Sequence, residues 1–185
     1  MRSIKEQIND ALLAISPLAT LEKELSQAIE LMVKTVKTGG TIYTCGNGGS
    51  ACEAMHLTEE LVARYSRERP GIASVHFHDS GTITCWANDY DFQSVFERQV
   101  KTFCSEKDLL VCFSTSGNSE NVLLALKAAK AASVPTLSLL GRDGGKAKAL
   151  STCAITVPAK HTAHIQEAHL VVIHILCEQL ENTLF

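Results

Sequence analysis

Apolar residues recur along this chain with two different periods. From 3 to 15 and from 19 to 38 they return every three or four positions: Ile4, Ile8, Leu12 and Leu13, then Leu21, Leu25, Ile29, Met32 and Val33. That spacing predicts two amphipathic helices, separated at Ser16-Pro17 and closed by Gly39-Gly40. Beyond residue 40 the apolar runs shorten and become rich in β-formers: TIYTC (41–45), IASVHF (72–77), DLLVCFS (108–114), TLSLL (136–140) and AITV (154–157). Helical stretches are predicted between and after them, at 50–66, 91–104, 118–132, 145–151 and 162–182. Strand–helix alternation calls for right-handed parallel crossovers, hence a doubly wound, five-stranded parallel sheet with helices on both faces. A chain of 185 residues holds one such domain, 1–185, in which helices 1–38 pack outside the sheet or against other copies.

Bulk properties narrow the functional classes. Hydrophobic residues make up 45%, enough for one core. Net charge is −3 with no long basic run, which argues against nucleic acid as a direct ligand. The N-terminus mixes both charge signs and lacks a signal peptide's apolar core. No stretch approaches ~18 continuous apolar residues, so no membrane span is expected. The seven cysteines are an odd number without a CxxC pair. Cys85, Cys112, Cys153 and Cys177 sit in apolar runs and read as buried free thiols of a cytoplasmic protein.

Parallel sheets bind ligands at the carboxyl ends of their strands, so chemistry is sought there. The first strand ends in CGNGGS (45–50), where glycines let a ligand approach main-chain N–H groups at a helix start. It is not a GxGxxG turn, and a dinucleotide is not expected; a plain strand–helix turn is the simpler account. The third strand ends in STSGNS (114–119). Ser114, Thr115, Ser116 and Ser119 offer more hydroxyls than a helix cap needs, which favours a phosphate monoester. His56 and Glu60 are four apart and share a helix face. They can bind a divalent metal or simply hydrogen-bond each other. The last helix carries Gln166, His169 and His174 among apolar residues. Gln166 and His174 lie ~80° apart around that helix and ~12 Å along it, far for one metal unless the side chains lean together or two copies share the site. Otherwise His174 is a core histidine. Asn88 and Asp89 are placed in a loop, and LGRDGGK (140–146) is read as a structural turn.

Taken in order, CGNGGS, the HxxxEEL helix, RYSRERP, ANDY, STSGNS, LLGRDGGK and IQEAHLVVIHILCE resemble the phosphoheptose isomerases, members of the sugar isomerase (SIS) domain family. The resemblance runs from about residue 20 almost to the end. It implies a flavodoxin-like sheet and an aldose–ketose isomerase that converts sedoheptulose 7-phosphate to D-glycero-D-manno-heptose 7-phosphate. That reaction opens nucleotide-activated heptose synthesis for bacterial lipopolysaccharide and other surface polysaccharides. The resemblance further implies one zinc per subunit on His56, Glu60, Gln166 and His174. Glu60 corresponds to the base and His174 to the acid. Asn47, Gly48, Gly49, Glu60, Asn88, Asp89, Ser114, Thr115, Ser116, Ser119 and Gln166 correspond to the substrate contacts. A cytoplasmic homotetramer is implied as well. Two features depart from the pattern. His164 stands where the family usually has Arg. The tail ENTLF resembles that of a non-catalytic relative that binds the replication initiator, although this chain keeps Glu60 and His174.

Overall fold

The computed structural model describes residues 2–185. In chain order its elements are α1 (Ile4–Ile15), a 3-10 turn (Ser16–Thr20), α2 (Glu22–Lys37), β1 (Ile42–Gly46), α3 (Gly49–Val62), β2 (Ser74–His76), α4 (Ser80–Asp89), α5 (Val95–Phe103), β3 (Leu109–Ser114), α6 (Glu120–Ala131), β4 (Thr136–Gly141), α7 (Gly145–Leu150), β5 (Cys153–Val157) and α8 (Thr162–Leu184). All five strands are parallel, in the order β2-β1-β3-β4-β5. This is the expected flavodoxin-like doubly wound sheet. Its direction of winding reverses between β1 and β3, the crevice where ligands bind in such folds.

Both faces of the sheet are covered, which is why its central strand β3 reads as a nearly unbroken apolar run rather than an alternating one. Val111, Phe113, Leu137 and Leu139 meet α2, α3 and α8 on one face. Leu110, Cys112 and Leu140 meet α5, α6 and α7 on the other. Gly39 has φ +71 and ends α2 in the left-handed conformation that favours glycine.

The structure differs from the sequence reading in several places. The segment expected as a loop around Asn88 and Asp89 is the last turn of α4. Asp79 caps this helix, its carboxylate accepting from the Thr82 N–H at 2.7 Å. No residue of α4 is buried, so no apolar periodicity marked it. The helix expected over 91–104 begins only at Val95, because Asp91 accepts from the Ser94 N–H and holds a turn. The strand expected over 72–77 is confined to Ser74–His76, and α3 stops at Val62 rather than 66. Cys85 is exposed on α4, whereas Cys112, Cys153 and Cys177 are buried and free as expected.

Candidate active site

The glycine turn after β1 and the serine loop after β3 lie side by side, because β1 and β3 are neighbours paired through Gly46 and Phe113. Asn47 and Asn121 join them. Each carboxamide donates to the other's oxygen, at 2.8 and 2.9 Å. Asn121 is buried in the first turn of α6. Its location after a serine-rich loop was a signal for this role, but the residue itself reads from sequence as ordinary helix.

The serine loop is propped from below. Gly117 has φ +62, and an added Cβ would run into the Gly144 carbonyl, so the LGRDGGK turn packs directly beneath it. Ala147 N–H donates to Gly117 O at 2.9 Å, and Lys146 N–H donates to the Asn118 side-chain oxygen at 3.2 Å. Ser114 Oγ accepts from Gly117 N–H and Ser116 Oγ from Asn118 N–H, both at 3.1 Å. Ser119 occupies the N-cap position of α6 without a capping hydrogen bond, and helix capping therefore leaves its hydroxyl to another use.

The second cluster lies on the seam between α3 and α8. His56 Nε2 stands 3.3 Å from His174 Nε2 and 3.5 Å from Glu60 Oε1. One ligand-type atom from each of the three residues falls within 4.8 Å of the other two. His56 Nε2 thus faces both the His174 ring and the Glu60 carboxylate, and two imidazoles and a carboxylate share one small volume. This His2Glu donor set suits a divalent metal of the zinc type with an open position. The residue beneath it on α8, Cys177, is not a ligand candidate. Burial, and after it the Glu60 carboxylate, pushes its thiol up to about 12.

Gln166 lies nearer the start of α3. Its amide lies against Gly49, where a Cβ would collide with it. Gly49 precedes His56 by seven residues, about 10 Å of helix. Gln166 thus faces the glycine turn and His174 the metal-type cluster. Asn88 and Asp89 are exposed at the end of α4, where Asn88 donates to Asp89 at 2.8 Å. No hydrogen bond or ion pair among the described residues ties them to the triad or the serine loop.

Three supporting groups escaped the sequence reading. His78 Nε2 donates to Gly46 O at 2.9 Å, and burial lowers the pKa of its ring, so a neutral imidazole braces the glycine turn. Arg69 donates to the Glu60 carbonyl at 2.8 Å and the Leu61 carbonyl at 3.0 Å, closing the C-terminal end of α3. Glu181 binds Arg69 Nε at 2.8 Å and accepts the main-chain N–H groups of Tyr65, Ser66 and Arg67. The loop so held brings Tyr65 against His174, with ring centroids 5.8 Å apart. Glutamate on the last turns of a helix gives no sequence sign of such a role.

The sheet's switch point is flanked by the glycine turn and the serine loop, and the model of the sugar isomerase (SIS) domain family matches residues 6–141; the chain belongs to this family. Within the family it falls among the phosphoheptose isomerases. It is 46% identical over 166 residues to the phosphoheptose isomerase of Helicobacter pylori, covering 89% of this chain and 86% of that one. It is 40% identical over 180 residues to that of Helicobacter hepaticus, covering 97% and 92%. Among solved structures, the phosphoheptose isomerase from Neisseria gonorrhoeae superposes with a TM-score of 0.91 at 35% identity, covering 97% of both chains. The one from Francisella tularensis gives 0.92 at 32% identity, covering 97% and 96%.

Proposed function

We propose that this protein is a phosphoheptose isomerase that converts sedoheptulose 7-phosphate to D-glycero-D-manno-heptose 7-phosphate, with Glu60 as the base. The observation that carries the residue assignment is the convergence of His56, Glu60 and His174 on one face of the α3–α8 seam. Family membership carries the reaction class. A protein that binds a sugar phosphate or the replication initiator without chemistry has no need of a carboxylate beside two imidazoles.

The reaction moves one carbon-bound proton. Glu60 takes it from C1 of the open-chain ketose; the electron pair forms the C1=C2 bond, and the C2 carbonyl oxygen receives a proton from His174. His174 then takes the O1–H proton and regains the one it gave, the C1 carbonyl forms, and Glu60 returns its proton to C2. His174 also assists ring opening. The serine loop, Ser114, Thr115, Ser116 and Ser119, receives the phosphate far from the reacting carbons, and that binding energy holds C1 at Glu60. Asn47, Gly48 and Gly49 line the sugar's path, with Gln166 over Gly49. Asn88 and Asp89 reach substrate only if α4 meets a site, in its own chain or a neighbouring one.

The donor set of His56, Glu60 and His174 would suit zinc; when bound, the metal would polarise the substrate oxygens in place of the proton that metal-free His174 supplies. Gln166, seated against Gly49, would supply the fourth ligand. Assembly into a homotetramer is supported by α1, where Ile4, Ile8, Leu12 and Leu13 are 57–78% exposed. Among the described residues no helix is long and apolar enough to cross a membrane, which accords with a cytoplasmic enzyme. The test is turnover of sedoheptulose 7-phosphate by protein stripped with a chelator and then titrated with zinc. Activity restored at about one zinc per chain supports the site. Full activity in stripped protein refutes the zinc assignment, and no turnover at any zinc level refutes the isomerase.

A further inference from the structure

The α3–α8 seam is built as a series of polar rungs, and one of them has no part in the chemistry just described. Reading along both helices in the same direction, Gln166 meets Gly49, His169 meets Glu53, His174 meets His56 and Glu60, and Glu181 meets the α3 terminus through Arg69. The Glu53–His169 rung is buried: His169 is 0% exposed and Glu53 7%. His169 Nε2 lies 3.1 Å from the Leu140 carbonyl at the end of β4. A carbonyl only accepts, so Nε2 carries a proton. The other nitrogen, Nδ1, faces Glu53 Oε1 at 3.5 Å. Neither Glu53 oxygen nor His169 Nδ1 has any other hydrogen-bond partner.

Buried polar groups in folded proteins are satisfied by hydrogen bonds, and the partner that each of these two faces is the other. The pair is thus a tie joining α3, α8 and β4. It stands one turn before His56 on α3 and between Gln166 and His174 on α8, on the sheet side of the seam.

We infer that Glu53 and His169 are a positioning pair that sets the register of α3 on α8 and thereby brings His56, Glu60 and His174 together. The two helices otherwise meet largely through apolar contacts such as Ala54, Leu57, Ile173 and Leu176, which tolerate sliding. A displacement of about 1 Å at the reacting groups is enough to cost about 10²-fold in rate. Arg69 and Glu181 hold the far end of the seam, so the triad sits between two polar ties.

The inference rests on the site reading above for its metal and kinetic readouts, and a crystal structure tests it separately. Glu53→Leu removes the tie; Glu53→Gln keeps it, because the new amide donates to Nδ1. Should the leucine chain fail to fold, Glu53→Met replaces it. Crystal structures of the apolar variant should show His56 and His174 moved apart by about 1 Å or more, while the glutamine variant keeps their spacing. Zinc affinity by chelator competition should fall about tenfold or more in the apolar variant, and kcat with it, while KM stays near normal because the phosphate loop is untouched. The glutamine variant should keep both within about twofold. Unchanged His56–His174 spacing in the apolar variant would overturn the inference, as would a lower melting temperature alone, or equal damage from glutamine. Absent turnover and zinc binding in the wild-type protein would count instead against the site reading, leaving the crystallographic result to decide the pair.

Discussion

Replacing Glu181 by glutamine should destabilise the protein more than any other isosteric change on α8. The carboxylate is almost fully buried and accepts from Arg69 Nε at 2.8 Å, Tyr65 N–H at 3.0 Å, Ser66 N–H at 3.1 Å and Arg67 N–H at 2.9 Å. The amide keeps the shape but turns two donors toward this ring of donors. It also leaves the Arg69 guanidinium, whose side chain is 1% exposed, without a counter-charge. Breaking a buried pair on one side costs about 3–5 kcal/mol. For a chain of this size, about 2–4 °C per kcal/mol gives a fall of about 6–20 °C in Tm. Urea and thermal unfolding at fixed protomer concentration would read it. The effect should also carry a pH signature. Burial opposes ionisation of Glu181, but the surrounding N–H donors outweigh it and hold the carboxyl below the usual carboxylate range. A depressed folded-state pKa contributes stability above the unfolded value, near about 4.3, and loses it as pH falls through the lower folded value. The gap between wild type and Glu181→Gln should therefore be largest near pH 7 and shrink below about pH 4. A loss under about 1 kcal/mol at pH 7, or a gap that does not narrow in acid, would refute the electrostatic account of this tie.

Other consequences concern the substrate and the assembly. Ser116→Ala with Ser119→Ala should raise KM for the phosphorylated sugar about tenfold or more, each lost hydrogen bond to a charged group being worth about 1.5–3 kcal/mol; equal competition by inorganic phosphate against both proteins would reduce the loop to a helix cap. Sedimentation at assay concentration should give a species near four times 20.0 kDa, and a fully active monomer would refute the tetramer. Because Glu60, His56 and His174 converge within one chain, mixing a Glu60→Gln protein with a His174→Ala protein should recover no activity; recovery would mean that sites are shared between chains.

The sheet was legible in the sequence because both of its faces are buried, which leaves β3 a nearly continuous apolar run and β1 and β4 largely apolar without strict alternation. The serine loop and the glycine turn were legible as strand-end turns because the residues that form them are adjacent in sequence. His56 and Glu60 were legible as a pair through their spacing of four. Their meeting with His174 was not, since it depends on how α8 lies along α3, and helical spacing within α8 gives no measure of that. The same geometry seats Gln166 on Gly49. The α4 helix was hidden because Asp79 caps it and nothing in it is buried. Arg69, Glu181, Glu53 and His169 were hidden for the opposite reason: each is a charged or polar residue made useful by a partner far away in sequence.

Steady-state turnover of sedoheptulose 7-phosphate by Glu60→Gln tests the central claim most directly. Glutamine preserves the side chain's shape beside His56 and His174 but cannot accept a proton from C1. With the variant shown to be folded and to bind substrate, kcat should fall by about 10²–10⁴-fold, the scale of a lost general base. Turnover within a few-fold of the wild-type protein would contradict the assignment of Glu60 as the base.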